Sequence, residues 1–206
     1  MQHPVIKEGL EKSMSYQMYY DLINRLAETE GTTGPEQTEA LIGYTKLNQR
    51  RMKRWDKTIK TSEQVQALVS DFSHKMTWLV ITESWCGDAA HVVPVINKLA
   101  ELNENINLRI VLRDENSQLM DMYLTNGGRA IPKLLMIDDE TGEVVNTFGP
   151  RPSEATNMVN DYKVKHGKLT PEFKEELQFW YNKNKGQNII EDITQKLCQF
   201  EPGMCV

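Results

Sequence analysis

The sequence predicts an α/β fold: a central mixed sheet flanked by helices, with further helices added at both ends. Three observations predict it. The middle of the chain alternates strand-like and helix-like stretches, "MTWLVITE", "DAAHVVPVINKLAELN" and "NLRIVLRD", and that succession favours a parallel strand pair joined by a right-handed crossover. Two more strand-like runs, "PKLLMIDD" and "EVVNTFG", are separated by the turn residues Glu140, Thr141 and Gly142, the pattern of an antiparallel hairpin. The residues before about position 75 and those after Ser153 carry helical periodicity instead.

In chain order, "GLEKSMSYQMYYDLINRLAETEG" places Met14, Met18, Leu22 and Leu26 at four-residue steps, with Gly31 as a stop, and predicts one helix. "TTGPEQTEALIGYTKLNQRRMKRWDK" predicts a second, with Pro35 at its first position and Leu41, Tyr44, Leu47 and Met52 on one face. A third helix is expected from Thr61, its hydroxyl capping the first turn with Gln64 reaching back. The strand and helix stretches of the centre follow, the helix containing Pro94. "NSQLMDMYLTNGG" then reads as a short helix closed by glycine. Beyond the hairpin, helices are expected from Ser153 to about Cys198, with breaks at Gly167 and Gly186 and a fresh start at Thr170-Pro171.

At 206 residues the chain exceeds the roughly 150 that suit one domain, and it divides into an N-terminal helical extension (1–60), a central domain (61–167) and a C-terminal helical extension (168–206). Hydrophobic residues are 39%, charged residues 26% and the net charge is −5, which gives no general electrostatic reason to bind nucleic acid. The apolar runs Trp78 to Ile81 and Leu134 to Ile137 fall far short of the roughly 18 residues of a membrane span. The N-terminus "MQHPVIKEGLEKSM" carries acidic residues and no continuous apolar core, so it does not read as a secretory signal and the expected location is the cytoplasm. The three cysteines, Cys86, Cys198 and Cys205, lack the spacing of a zinc site or disulfide scaffold and suit a reducing compartment. No metal and no cofactor is predicted.

"ITESWCGDAA" sets Cys86 between the first central strand and the helix that follows. A cysteine at a helix start faces unsatisfied amides that favour thiolate over thiol. Asp88, in the same turn, repels a neighbouring thiolate. The two influences oppose each other and predict a thiol less acidic than in a strongly activated site.

Trp85-Cys86-Gly87, Pro94 eight residues after Cys86, and "RAIPKLLMI", with the element order above, resemble the thioredoxin-like family over about residues 61–167. The N-terminal helices look like the extension of a bacterial subgroup of that family. The resemblance implies that Cys86 is the attacking sulfur, that Trp85, Gly87 and Asp88 shape its corner, and that Ile131-Pro132 is the cis-proline loop where an extended substrate docks. Two departures matter. Ala89 stands where the family's second cysteine would, so Cys86 by itself cannot complete a dithiol cycle. Val80 stands six residues before Cys86, where the family's buried acid would; Glu83 is the candidate substitute, although a solvated strand-end carboxylate is the expected state for it.

Three readings of Cys86 follow. It exchanges as a monothiol with a protein thiol or disulfide or a glutathione-like thiol; or Cys198 or Cys205 supplies the missing thiol from the C-terminal tail; or the domain is a noncatalytic binding module. Arg129 is a candidate holder of a substrate carboxylate, against the ordinary state of a solvated loop arginine. His91 is expected to be an ordinary surface or partly buried histidine, and the run Lys46, Arg50, Arg51, Lys53, Arg54, Lys57 a solvated helix face.

Overall fold

Strand β1 (Met76–Thr82) is buried along its whole length, as a strand must be when both faces of its sheet are covered. In the computed structural model, which describes residues 2–204, it pairs in parallel with β2 (Ile106–Leu112). On its other side β1 pairs antiparallel with β3 (Lys133–Asp138), which pairs antiparallel with β4 (Val144–Phe148). The strand order β2-β1-β3-β4 is the mixed sheet expected from the alternation and the hairpin.

Helix α5 (Ala89–Ala100) makes the crossover from β1 to β2 and contains Pro94. Its residues from Ala89 to Ile96 are all buried, so it runs through the core rather than over it. A short helix, Ser117–Met122 (α6), leads from β2 towards the loop before β3. After β4 come α7 (Ser153–His166), α8 (Pro171–Asn184, capped by the Thr170 hydroxyl) and α9 (Gln187–Phe200), with the breaks at Gly167 and Gly186 where expected.

The N-terminal third departs from the sequence expectation in detail. The first predicted helix is two, α1 (Pro4–Lys12) and α2 (Tyr16–Glu28). Between them Met14 pairs with Ile110 of β2 through both backbone bonds, each 2.8 Å, and Ser15 caps α2. Serine side chains that satisfy free amides stabilise such a break. Helix α3 (Glu39–Thr58) starts from a Thr38 cap, leaving Pro35 in the preceding loop. Its buried positions are Thr45, Asn48, Met52 and Trp55, whereas Tyr44 and Leu47 are exposed; buried polar groups took the place expected of apolar ones. Helix α4 (Glu63–Ser70) is capped by Ser62, one residue later than expected.

One hydrophobic cluster takes in Ile6, Tyr19 and Trp55 from the N-terminal helices, the sheet, and Leu177, Ile190 and Leu197 from the C-terminal ones. The added helices therefore pack into the same core as the sheet. No helix among the described residues is long and apolar enough to cross a membrane.

Candidate active site at Cys86

The turn from β1 into α5 is fastened from the N-terminal side. The Ser84 amide donates to Thr33 Oγ1 at 2.9 Å, and Ser84 Oγ accepts from the Thr33 amide at 3.0 Å while bonding the Thr45 hydroxyl at 2.8 Å. Asn48 Nδ2 donates to the Ser84 carbonyl at 2.9 Å, and the Tyr19 hydroxyl to the Glu83 carbonyl at 3.2 Å. Buried polar groups need such partners, which explains the polar face of α3: Thr45 and Asn48 are there for the turn.

Cys86 is 7% exposed. Its thiol donates to the Ile131 carbonyl at 3.3 Å, and the Ile131–Pro132 peptide is cis, so the two loops picked out in the sequence do meet at the sulfur. A second cis bond, Gly149–Pro150, lies behind the first: an added Cβ on Gly149, at φ +106°, would sit 2.2 Å from the Pro132 carbonyl oxygen. Only glycine allows that approach. Burial pushes the Cys86 thiol up to about 12, with the Asp88 charge adding to it, against the Ala89 and Asp88 amides and Arg151. The sequence foresaw the contest between carboxylate and amides; burial, which it could not show, is the largest influence.

Asp88 is held by two groups from distant segments. Arg151 meets it at 2.6 Å and the Tyr181 hydroxyl donates to it at 3.0 Å, while Arg51 adds a favourable charge. Burial pushes its carboxyl up and these neighbours pull it back. Tyr181 stacks on His91 with ring centres 4.4 Å apart. His91 is 0% exposed, more buried than the surface or partly buried residue expected. Its Nδ1 accepts from Trp55 Nε1 at 2.7 Å and its Nε2 faces Gln178 Oε1 at 2.7 Å. Since indole only donates, the ring is neutral with its proton on Nε2. Burial pushes its pKa down to about 3, partly offset by Gln178. His91 joins α3, α5 and α8 and has no contact with the thiol's chemistry.

Glu83 is 0% exposed, against the expectation of a solvated carboxylate. Its Oε1 accepts from the Asp114 amide at 2.9 Å, tying the end of β1 to the chain leaving β2. Burial pushes its carboxyl up, opposed by the Thr33 hydroxyl and that amide. The Asp114 amide uses Oε1 and the Tyr19 hydroxyl uses the carbonyl, whereas Oε2 is buried without a hydrogen-bond partner among the described residues. Arg129 lies at the cleft and is paired with Asp121 through two bonds of 2.6 Å. Cys198 is disulfide-bonded. It also lies near the end of α9, where Phe200 packs on Phe72 and His74, and Glu201 accepts from Ser73 at 2.8 Å. That is the start of β1; Cys86 follows its end, roughly 20 Å away for a seven-residue strand. The structure does not bring Cys198 to Cys86. Cys205 lies outside the described residues. Ala89, 2% exposed, fills the place of a second cysteine with a methyl group.

Above Cys86 opens a cleft of about 800 Å³. Its floor is Trp85, Cys86, Gly87 and Ile131; one wall is α3 with Leu41, Tyr44 and Arg51, and the other is α8 with Leu177, Gln178 and Phe179. Arg113 lies over the Trp85 ring at 4.8 Å, a cation–π contact. Arg51, Arg151, Tyr181 and Gln178 were missed in the sequence. Arg51 alone had a visible signal, since it is three residues after Asn48 and four before Trp55 on one helical stripe; the others come from segments whose docking no local pattern encodes. No group of acidic, histidine or cysteine side chains among the described residues is arranged to hold a metal ion.

A thiol at the start of α5, against a cis-proline loop and beneath a cleft, defines a thioredoxin-type corner. A family model described as thioredoxin matches residues 34–163, and the chain belongs to the thioredoxin family. The match takes in α3, the helix that supplies Thr45, Asn48 and Arg51. Among solved structures, a protein of unknown function from Pseudomonas aeruginosa is similar at 16% identity, with 89% of this chain and 97% of that chain covered and a TM-score of 0.59. An HIV epitope-scaffold is similar at 16% identity, covering 89% and 98%, with a TM-score of 0.56. At that identity the likeness is one of fold. No curated protein matches the chain.

Proposed function

We propose that this protein carries out thiol–disulfide exchange through Cys86 alone, forming a mixed disulfide that an external thiol resolves. The observation that carries this reading is the placement of the Cys86 sulfur on the floor of an open cleft, 3.3 Å from the carbonyl of the cis-proline loop, with no second thiol beside it among the described residues. Chemically, a thiolate attacks one sulfur of a disulfide and expels the other. With Ala89 in the second position, the mixed disulfide waits for a protein thiol or a glutathione-like thiol. A cytoplasmic setting supplies such thiols, whereas the disulfide at Cys198 is of a kind commoner in oxidising compartments.

A second reading, a binding module without turnover, is favoured by one observation: burial holds the thiol up at about 12. Mass spectrometry separates the two. Incubation with a small disulfide adds its half-mass to Cys86, the addition is absent in Cys86→Ser, and an added thiol removes it. A Cys86 that stays unmodified through pH 9.5, while ligands still enter the cleft, would leave only the binding module.

A further inference from the structure

The cleft is more positive than the chain. Five cations line it, Arg51, Arg113, Arg129, Arg151 and Lys174, against the two acids Asp88 and Glu175, in a protein whose net charge is −5. Three of the arginines have carboxylate partners: Asp114 for Arg113, Asp121 for Arg129 and Asp88 for Arg151. Arg51 has none among the described residues. It is half-buried, and its Nη1 donates only to the neutral Asn48 Oδ1 at 3.0 Å. The same nitrogen lies 3.6 Å from where a Gly87 Cβ would be, so the guanidinium stands directly over the Cys86-Gly87 turn. On the other side of the turn, the Arg151 Nε–H is buried and finds no acceptor among the described residues.

A guanidinium that is partly desolvated, short of acceptors and beside another arginine is costly unless something anionic completes it. Burial and Arg54 disfavour its charge, offset in part by Tyr44 and by Asp88, which is not in salt-bridge contact with it. The planar fork of donors matches a carboxylate. The volume of about 800 Å³ falls in the usual range of small-molecule sites, on the order of 300–1,000 Å³. The floor and walls around Arg51, including Trp85, Leu41 and Tyr44, suit a short apolar stem between an anionic end and a sulfur.

We propose that the cleft receives a low-molecular-weight disulfide bearing a carboxylate, and that Arg51 takes that carboxylate while the sulfur faces Cys86. This rests on the exchange reading of Cys86. The Cys86 thiol loses its proton and its sulfur attacks the nearer sulfur of the ligand. A Cys86–ligand S–S bond forms, the ligand's own S–S bond breaks, and the departing thiolate takes up a proton. The ligand disulfide is the oxidant: Cys86 is oxidised to the mixed disulfide and one ligand sulfur is reduced to a thiol.

The test has two arms on the full chain. In the first, adipate, 1,6-diaminohexane and 1,6-hexanediol, equal in length and free of sulfur, are titrated with the Trp85 indole and Gly87 amide followed by NMR. Adipate is expected to shift both signals in preference to the other two. Its affinity falls about tenfold in Arg51→Gln, holds in Arg50→Gln, the exposed neighbour with the same charge change, and is intermediate in Arg51→Lys. Equal shifts from all three compounds, no adipate shift, or full affinity in Arg51→Gln with native NMR dispersion would each overturn the inference. In the second arm, exchange with 3,3′-dithiodipropionate is expected to exceed exchange with cystamine about tenfold. Equal rates overturn the anion preference and leave the exchange reading standing; no reaction with either, together with selective adipate binding, overturns the exchange reading and leaves the anion site.

Discussion

With burial holding the thiol up at about 12, Cys86 is a slow nucleophile whose rate follows pH far into the alkaline range. At pH 7.5 its thiolate fraction is roughly 3 × 10⁻⁵, against roughly 0.09 for a free cysteine of pKa near 8.5, a deficit of about 3,000-fold. A more basic thiolate is intrinsically more nucleophilic, and a Brønsted slope of about 0.45 over that gap returns a factor of about 40. The net expectation is exchange about 75-fold slower than for N-acetylcysteine amide, before any hindrance from burial. The logarithm of the rate then rises with unit slope through pH 9.5, because the thiolate fraction grows tenfold per pH unit below the pKa. The assay is exchange with neutral 2-hydroxyethyl disulfide, quenched in acid and read by mass spectrometry between pH 7 and 9.5, the amide running alongside and levelling off near pH 8.5. A plateau for Cys86 at or below pH 9 would refute the claim that burial governs this thiol.

Three further expectations use the same site. Asp88→Asn removes the charge that repels the thiolate and leaves Arg151 in place, so the pKa falls and exchange at pH 7.5 quickens roughly tenfold; an unchanged rate would remove Asp88 from the thiol's electrostatics. His91, neutral in the fold with its pKa pushed down from 6.5 to about 3, binds a proton only after unfolding as pH drops below 6.5, so its contribution is complete above that value and is lost towards pH 3. Between pH 7.5 and 5.5 the loss is about 1.4 kcal/mol. Urea unfolding at both pH values reads it as the extra pH dependence of the wild type over His91→Gln; equal dependence in the two proteins contradicts a buried neutral imidazole. Gly149→Ala puts a Cβ against the Pro132 carbonyl at 2.2 Å and positive φ, and is expected to cost more than about 2 kcal/mol in urea unfolding; a cost below about 0.5 kcal/mol would mean that the loops readily part.

The alternation of apolar runs and turn residues was enough to set the central elements, because β1 and β3 are buried on both faces and the helices between them carry apolar faces of helical spacing. "WCG", the spacing to Pro94 and the run ending in Ile131-Pro132 were enough to point at one corner, since local chemistry repeats there in a recognisable order. What sequence reasoning could not weigh was desolvation. His91, Glu83 and Cys86 sit on locally ordinary stretches; each is buried because a distant helix covers it, and burial is what moves their protons. The break between α1 and α2 was hidden for a related reason: Met14 satisfies its backbone on Ile110, a partner remote in the chain.

By itself the sequence determined the strand and helix order from β1 onward, the identity of the single cysteine at the head of α5, and the absence of a second thiol at Ala89, all of them local facts. The tertiary structure decided which charges meet. It gave Asp121 to Arg129 and Asp88 to Arg151, left Arg51 without a carboxylate above the thiol, and set Cys198 at the far end of the sheet. Such pairings depend on how helices dock across the core. They are fixed by the sum of many packing contacts and by the need to satisfy buried polar groups, neither of which any short stretch of sequence contains.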